Sequence, residues 1–287
     1  MRWYYWIFTF LIGGAVYKVW FAKANFLSDR SIEIANRELR EVSGLVASVR
    51  NPGYLWVHND GSRPLKLFLL KKTGFMERRF KFSEIVTTDF EDIALDGDPG
   101  MPVLYAGDIG DNSSRRKAVR ILRLREPLLQ DSISDIKVDT FYLSYPNGSR
   151  DAEAMFVDPV SKYLYIVSKR DECPFLYKVP LNIRAQDTVE MKLAGNLKLS
   201  GTGVLKWVTA ADISADGSQI LVRSYGNVFY WHRKENETVE EAMRREPDRL
   251  SHTSEIQGEA IGFSRDGKGF YTLSEGEHPK LNFNYID

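Results

Sequence analysis

Gln257-Gly-Glu-Ala-Ile-Gly-Phe-Ser-Arg-Asp-Gly-Lys-Gly-Phe-Tyr-Thr-Leu-Ser-Glu-Gly276 reads as a short apolar strand, an Asp-Gly turn, a second apolar strand and an acidic end. Four degenerate copies lie upstream. Glu41-Val-Ser-Gly-Leu-Val-Ala-Ser48 turns at Asn51-Pro-Gly53 into Leu55-Trp-Val-His-Asn-Asp60, and Glu91-Asp-Ile-Ala-Leu95 turns at Asp96-Gly-Asp-Pro-Gly100 into Val103-Leu-Tyr-Ala-Gly-Asp108. Glu153-Ala-Met-Phe-Val157 turns at Asp158-Pro159 into Tyr163-Leu-Tyr-Ile-Val-Ser-Lys-Arg170, and Ala211-Asp-Ile-Ser214 turns at Asp216-Gly217 into Ile220-Leu-Val-Arg-Ser-Tyr225.

Aligned on one residue of the first strand, the copies fall at Gly44, Asp92, Ala154, Asp212 and Ala260, a period of roughly 50 to 60 residues. A unit of that size holds about four short strands with their connections. Recurrence in one order favours an all-β, five-bladed β-propeller over unrelated hairpins in a sandwich, with six blades as the alternative count. Only one strand fits after the fifth hairpin, so Ser31-Ile-Glu-Ile-Ala-Asn36 is expected to supply the fourth strand of the last blade and remove its open edge. Outer strands are expected at 65–70, 79–82, 119–124, 140–145, 175–179, 191–195 and 227–232. Residues 238–245 read as a rim helix capped by Thr238.

Bulk composition narrows the function. Lys plus Arg and Asp plus Glu both number 39, so no electrostatic case for nucleic acid exists. The single cysteine, Cys173, excludes an intramolecular disulfide and a thiolate zinc site. Residues 3–17 carry no charge and are flanked by Arg2 and Lys18. They predict a hydrophobic N-terminal helix over residues 1–24, either an uncleaved membrane anchor or a signal peptide cut after Ala22-Lys-Ala24. Both place the body, residues 31–287 after a connector at 25–30, outside the cytosol, membrane-anchored or secreted and monomeric.

Hairpin geometry sorts the polar residues into two faces. First-strand starts and second-strand ends share one face, and the turns lie on the other. The first face collects Asp89, Glu91, Asp92, Asp151, Glu153, Asp212 and Glu259 with His58, Asp60, Asp108, Asp111, Asn112, Lys169, Arg170, Arg223, Tyr225 and Glu275. Carboxylates converging on a central channel need a bound cation, basic partners or backbone donors to stay ionised. Asp108-Ile-Gly-Asp-Asn112 offers three oxygen side chains on a glycine-bearing turn, which suits Ca²⁺ with Mg²⁺ as alternative, and Asp92 and Glu275 extend that candidate metal set. Gly262-Phe-Ser-Arg-Asp-Gly-Lys-Gly269 nearly spells a phosphate loop but lies in a hairpin and lacks the closing Ser or Thr.

The motifs Glu41-Val-Ser-Gly-Leu, His58-Asn-Asp60, Asp89-Phe-Glu-Asp-Ile-Ala94, Gly107-Asp-Ile-Gly-Asp-Asn112, Ala152-Glu-Ala154 and Gln257-Gly-Glu-Ala260 resemble a largely uncharacterised phytase-like β-propeller family (esterase-like activity of phytase type) over roughly residues 38–278. The resemblance implies a calcium-rich acidic face that hydrolyses phosphoesters. On that analogy Glu91, Asp108, Asp111, Glu153, Glu259 and Glu275 act as metal ligands or bases, while Lys169, Arg170 and Arg223 hold the anion. Catalysis would then fall to Glu91, Glu153 and Glu259, and ligand binding to His58, Asp60, Lys169, Arg170, Arg223 and Tyr225. Two readings follow: a metal-dependent phosphoester or ester hydrolase, or a non-catalytic module binding a small anionic ligand or a protein. A third, a membrane-tethered scaffold working through the rim helix, predicts that the helix is dispensable for folding.

Overall fold

The computed structural model describes residues 5–12, 15–22, 30–61, 64–255 and 257–286. Five antiparallel sheets each begin with one copy of the repeat. Blade one runs Val42–Ala47, Tyr54–Asn59, Pro64–Lys71, Met76–Val86, and blade two Asp92–Asp96, Val103–Asp108, Val119–Arg125, Val138–Ser144. Blade three runs Ala152–Val157, Tyr163–Ser168, Phe175–Pro180, Lys192–Asn196, and blade four Val208–Ile213, Gln219–Ser224, Val228–His232, Asp248–Leu250. Blade five takes Gly258–Phe263, Gly269–Ser274 and Lys280–Tyr285 from the end of the chain and Arg30–Glu33 from its start. Leu281 pairs with Ile32 across that splice, so the expected closure holds.

Four inner strands are buried along their length and that of blade two over its first three residues, and they follow one another round a ring, the fifth packing on the first. That last contact is close. A Cβ on Gly262 would lie 2.7 Å from the carbonyl oxygen of Leu45, so glycine is what lets blade five reach blade one. Apolar cores fill the gaps between blades, for example Phe141, Met155, Ile166 and Tyr177 between blades two and three.

Three features depart from the sequence reading. A short strand, Thr188–Glu190, leaves blade three and pairs in parallel with the outer edge of blade two, giving that sheet a fifth strand. The helix forms at Val239–Arg244 with Thr238 and Glu241 in a capping box, but it does not merely lie on the rim. Val239, Ala242 and Met243 are buried in the core with Leu197, Leu199 and Trp231, so the helix is part of the packing. At the N-terminus the described backbone of Tyr5–Ile12 and Ala15–Ala22 is a two-stranded antiparallel hairpin where the sequence reading expects a helix. Aromatic and β-branched residues dominate both strands, a composition that suits extended backbone. No described helix is long and apolar enough to cross a membrane, and residues 1–4, 13–14 and 23–29 of the anchor reading lie outside the described residues.

Candidate functional site

A β-bulge at the head of the inner strand builds the mouth of the channel. Pairing skips one residue between Val42 and Gly44, Ala152 and Ala154, Val208 and Ala210, and Gly258 and Ala260. The skipped residues are Ser43, Glu153, Thr209 and Glu259, and Glu91 stands in the same place in blade two, its N–H bonded to the Gly107 carbonyl. A bulge re-aims the extra side chain, here towards the axis. The register also corrects the repeat alignment in blade four. Ala210, opposite Arg223, is the counterpart of Ala154 and Ala260, and Asp212 lies two residues deeper. Asp212 belongs with the turns, where Val46, Leu95, Val157, Phe263 and Arg265 close the far end of the channel.

The second strands deliver a further set just past their ends: Asp60, Lys169, Tyr225 and Glu275. Together with Ser43, Glu91, Asn112, Glu153, Arg170, Gln257 and Glu259 they line one open cavity of about 360 Å³ to which all five blades contribute. The three predicted catalytic carboxylates, Glu91, Glu153 and Glu259, therefore meet.

One oxygen each from Asp60, Asp89 and Glu91 lies within 4.8 Å of the others, the spacing of metal ligands. Gly110 makes this meeting feasible: a Cβ there would fall 2.3 Å from Glu91 Oε1 and 2.5 Å from Asp89 Oδ2. Asp60 Oδ1 is buried without a hydrogen-bond partner, and Glu91, 3 % exposed, accepts no hydrogen bond on its carboxylate from the described residues. Hard oxygen donors with spare lone pairs fit a Ca²⁺ or Mg²⁺ ion.

The Asp108–Asn112 loop does not converge as the sequence reading expects. Asp108 is fully buried, its oxygens accepting from the Thr88 and Asp89 N–H groups and from Arg116 and Arg120. Asp111 accepts from the Arg116 N–H at 2.7 Å, and Asn112 bridges Asp89 to Arg170. Asp92 is also spoken for, taking the Ile93 N–H of its own blade and the Met155 N–H of the next, both at 2.8 Å. These groups hold the cluster's scaffold, while Asp89 supplies the third oxygen.

The predicted anion-holding cations divide in the same way. Lys169 forms an ion pair with Glu153, has the Tyr225 hydroxyl at 3.2 Å, and its ammonium faces that ring at 5.2 Å. Arg170 pairs with Asp151, bonds Asn112 and stacks over Trp207. Arg223 is 1 % exposed and runs between blades four and five, donating to the Ala260 carbonyl and to Glu255. It does not reach the cavity. His58 is likewise fully buried, stacked on Phe90 at 3.7 Å, and burial pushes its imidazole down to about 3. Glu255, which anchors Arg223, sits in a loop without repeat character and left no sequence signal.

Burial and mutual repulsion push the pocket acids up. Asp60 rises to about 7 through burial and the charges of Asp89 and Glu259, and Glu275 to about 8 through burial and the charges of Glu259 and Asp60. Glu91 and Glu153 are raised well above the carboxylate range, first by burial; Glu153 and Asp60 add to it at Glu91, and Lys169 opposes it at Glu153. Burial alone would discharge Lys169, but Glu153, Tyr225, Glu259 and Glu91 outweigh it and hold the ammonium charged. Such crowding of perturbed acids in a cleft makes this cavity the candidate functional site.

No protein-family model matches the chain, and no curated protein matches it. The resemblance to phytase-like propellers rests on the quoted motifs alone. Among solved structures the chain is similar to one in a crystal structure of a nidogen/laminin complex, at 12% identity with a TM-score of 0.46, over 93% of this chain and 80% of that one.

Proposed function

We propose that the mouth of the channel binds a divalent cation, Ca²⁺ with Mg²⁺ as the alternative, at Asp60, Asp89 and Glu91, and that the pocket hydrolyses a phosphoester or ester outside the cytosol. The observation that carries this reading is the Asp60–Asp89–Glu91 cluster with its unpartnered Asp60 oxygen. When bound, such an ion supplies positive charge and Lewis acidity at the base of the cavity. Glu153 has the raised basicity of a general base and is oriented by Lys169. The Lys169 ammonium and the Tyr225 hydroxyl are placed to donate hydrogen bonds to a developing oxyanion.

A second reading, a non-catalytic binding module, draws support from one observation: Lys169 and Arg170 are already engaged by Glu153 and Asp151, so neither is a spare cation for a phosphate. Assays with aryl phosphate and aryl acetate esters in Ca²⁺, Mg²⁺ or EDTA separate the two. The hydrolase reading expects turnover that EDTA abolishes and that Glu91→Gln and Glu153→Gln each reduce by about a hundredfold or more. Calcium binding with no turnover would leave the binding module standing.

A further inference from the structure

The cation cluster and the Lys169–Glu153 pair leave two pocket carboxylates without a task, Glu259 and Glu275. Glu259 projects from the bulge of blade five, lines the cavity and is 7 % exposed. Among the described residues its carboxylate accepts no hydrogen bond and forms no ion pair within 4 Å. Glu275, past the end of the strand paired with it, accepts a single hydrogen bond, from Gln257 Nε2 at 3.0 Å. Glu259 is largely shielded from water and unpartnered, and a carboxylate so placed beside a second one is costly.

The cavity's own cations act on these two acids only through space, without a direct contact. Five carboxylates line it against two cations, Lys169 and Arg170, each already bound to an acid. A divalent ion at Asp60, Asp89 and Glu91 answers its own three ligands and leaves Glu259 and Glu275 as they are. A second metal fits them poorly. Among the described residues only the Asp60 cluster has its oxygens at metal-ligand spacing, and Ca²⁺ or Mg²⁺ needs about six oxygens drawn tightly together. An ammonium or guanidinium needs only two or three acceptors, reaches them along separate N–H vectors, and packs its stem on an aromatic ring. Tyr225 provides that ring beside the cavity, close enough for the charge of Glu259 to act on its hydroxyl.

We propose that Glu259 and Glu275 form a subsite for the cationic group of an organic ligand, so that the pocket takes an amine- or guanidine-bearing molecule with its charged end on these two acids. This deepens the pocket reading above by naming its ligand class, and it is tested separately from the metal. Binding of 1,4-diaminobutane and agmatine to the full chain is measured by calorimetry in EDTA and in Ca²⁺, with 1,4-butanediol as the uncharged control. The diamine and agmatine are expected to bind and the diol not. Glu259→Gln and Glu275→Gln should each weaken the amines about tenfold or more, while the melting shift caused by Ca²⁺ persists in both variants. Asp60→Asn should do the reverse, losing the Ca²⁺ shift and keeping the amines. Should Glu259→Gln not fold, Glu275→Gln at the rim carries the same comparison. The proposal is overturned if neither amine binds, if the diol binds as well, if both variants that fold keep wild-type amine affinity, or if Asp60→Asn weakens the amines as much as the Glu259 or Glu275 change does. Amine binding without any Ca²⁺ shift would sink the metal reading and leave this one intact.

Discussion

Gly110 decides whether the cation cluster can form, because its missing side chain is the space that Asp89 and Glu91 share. Gly110→Ala should push both carboxylates apart and weaken Ca²⁺ binding by about tenfold, ~1.4 kcal/mol, with little change in the melting temperature in EDTA, since flexible side-chain ends can move aside. Calorimetry with Ca²⁺ and a melting curve in EDTA check the two halves. Glu126 tests a different role for a buried acid. Its Oε1 takes the Ser48 hydroxyl, the Val49 N–H and the Trp56 indole N–H, and its Oε2 takes the Arg50 N–H, tying blade one to blade two. Glu126→Gln sets an amide donor against one of these donors and should cost about 1–3 kcal/mol in urea unfolding, with Ca²⁺ affinity unchanged.

Single residues also show what the sequence carries and what it hides. Glu91, Glu153 and Glu259 were legible because an acid recurs at the head of three repeats, and Asp60, Lys169 and Glu275 because they follow the second strands. Arg223 and His58 stand before the last residue of those strands, pair across to Ala210 and Gly44, and are buried. Their depth depends on a register that residue types do not announce. The skipped residue of blade four is Thr209 rather than an acid, so the eye slips to Asp212, two places on. Asp89 becomes a ligand candidate only through the fold of the Asp108–Asn112 loop, in which Gly110 clears the space and Asn112 bonds the Asp89 carboxylate.

At the scale of elements, hydrophobic pattern and turn chemistry located the strands of the blades except Asp248–Leu250, the short fourth strand of blade four, and the terminal splice followed from counting them. Thr188–Glu190 escaped because three residues, two of them exposed, make no periodic pattern, and their partner strand comes from another blade. The helix was legible from its cap, but its burial was not. Thr238→Ala removes the side-chain acceptor for the Glu241 N–H and should cost about 1 kcal/mol. Deleting residues 238–245 should abolish cooperative unfolding, because Met243 and Val239 complete the core beside Trp231. A folded deletion protein with a native melting curve would restore the scaffold reading. Removing residues 1–34 would strip the last blade of Arg30–Glu33 and leave Lys280–Tyr285 as an open edge. Size-exclusion chromatography should then show association or aggregation that the full chain does not.

For the whole molecule, convergence of acids at one mouth makes stability depend on pH and on cations together. At the mouth Asp60 titrates near 7 and Glu275 near 8, and at the far end burial alone raises Asp212 to about 7, so the folded chain holds protons that the unfolded chain has released. Stability from these groups is complete below about pH 4 and is lost as pH rises towards about 8. His58, lowered to about 3, acts oppositely below about pH 6.5, so the carboxylates show most clearly from about pH 6.5 to 8. In EDTA the unfolding midpoint should fall across that window, and Ca²⁺ should flatten the fall by taking the place of the protons.

The most direct test is thermal melting at about pH 8 in EDTA and then in excess Ca²⁺, on the wild type and on Glu91→Gln. The wild type should gain about 2.7 kcal/mol when Ca²⁺ stands at about a hundred times its dissociation constant. Glu91→Gln should melt above the wild type in EDTA, because folding no longer has to bury or protonate that carboxylate, and gain little from Ca²⁺. A wild type that ignores Ca²⁺, or a variant that gains as much from it, would contradict a cation site built by separate blades at the channel mouth.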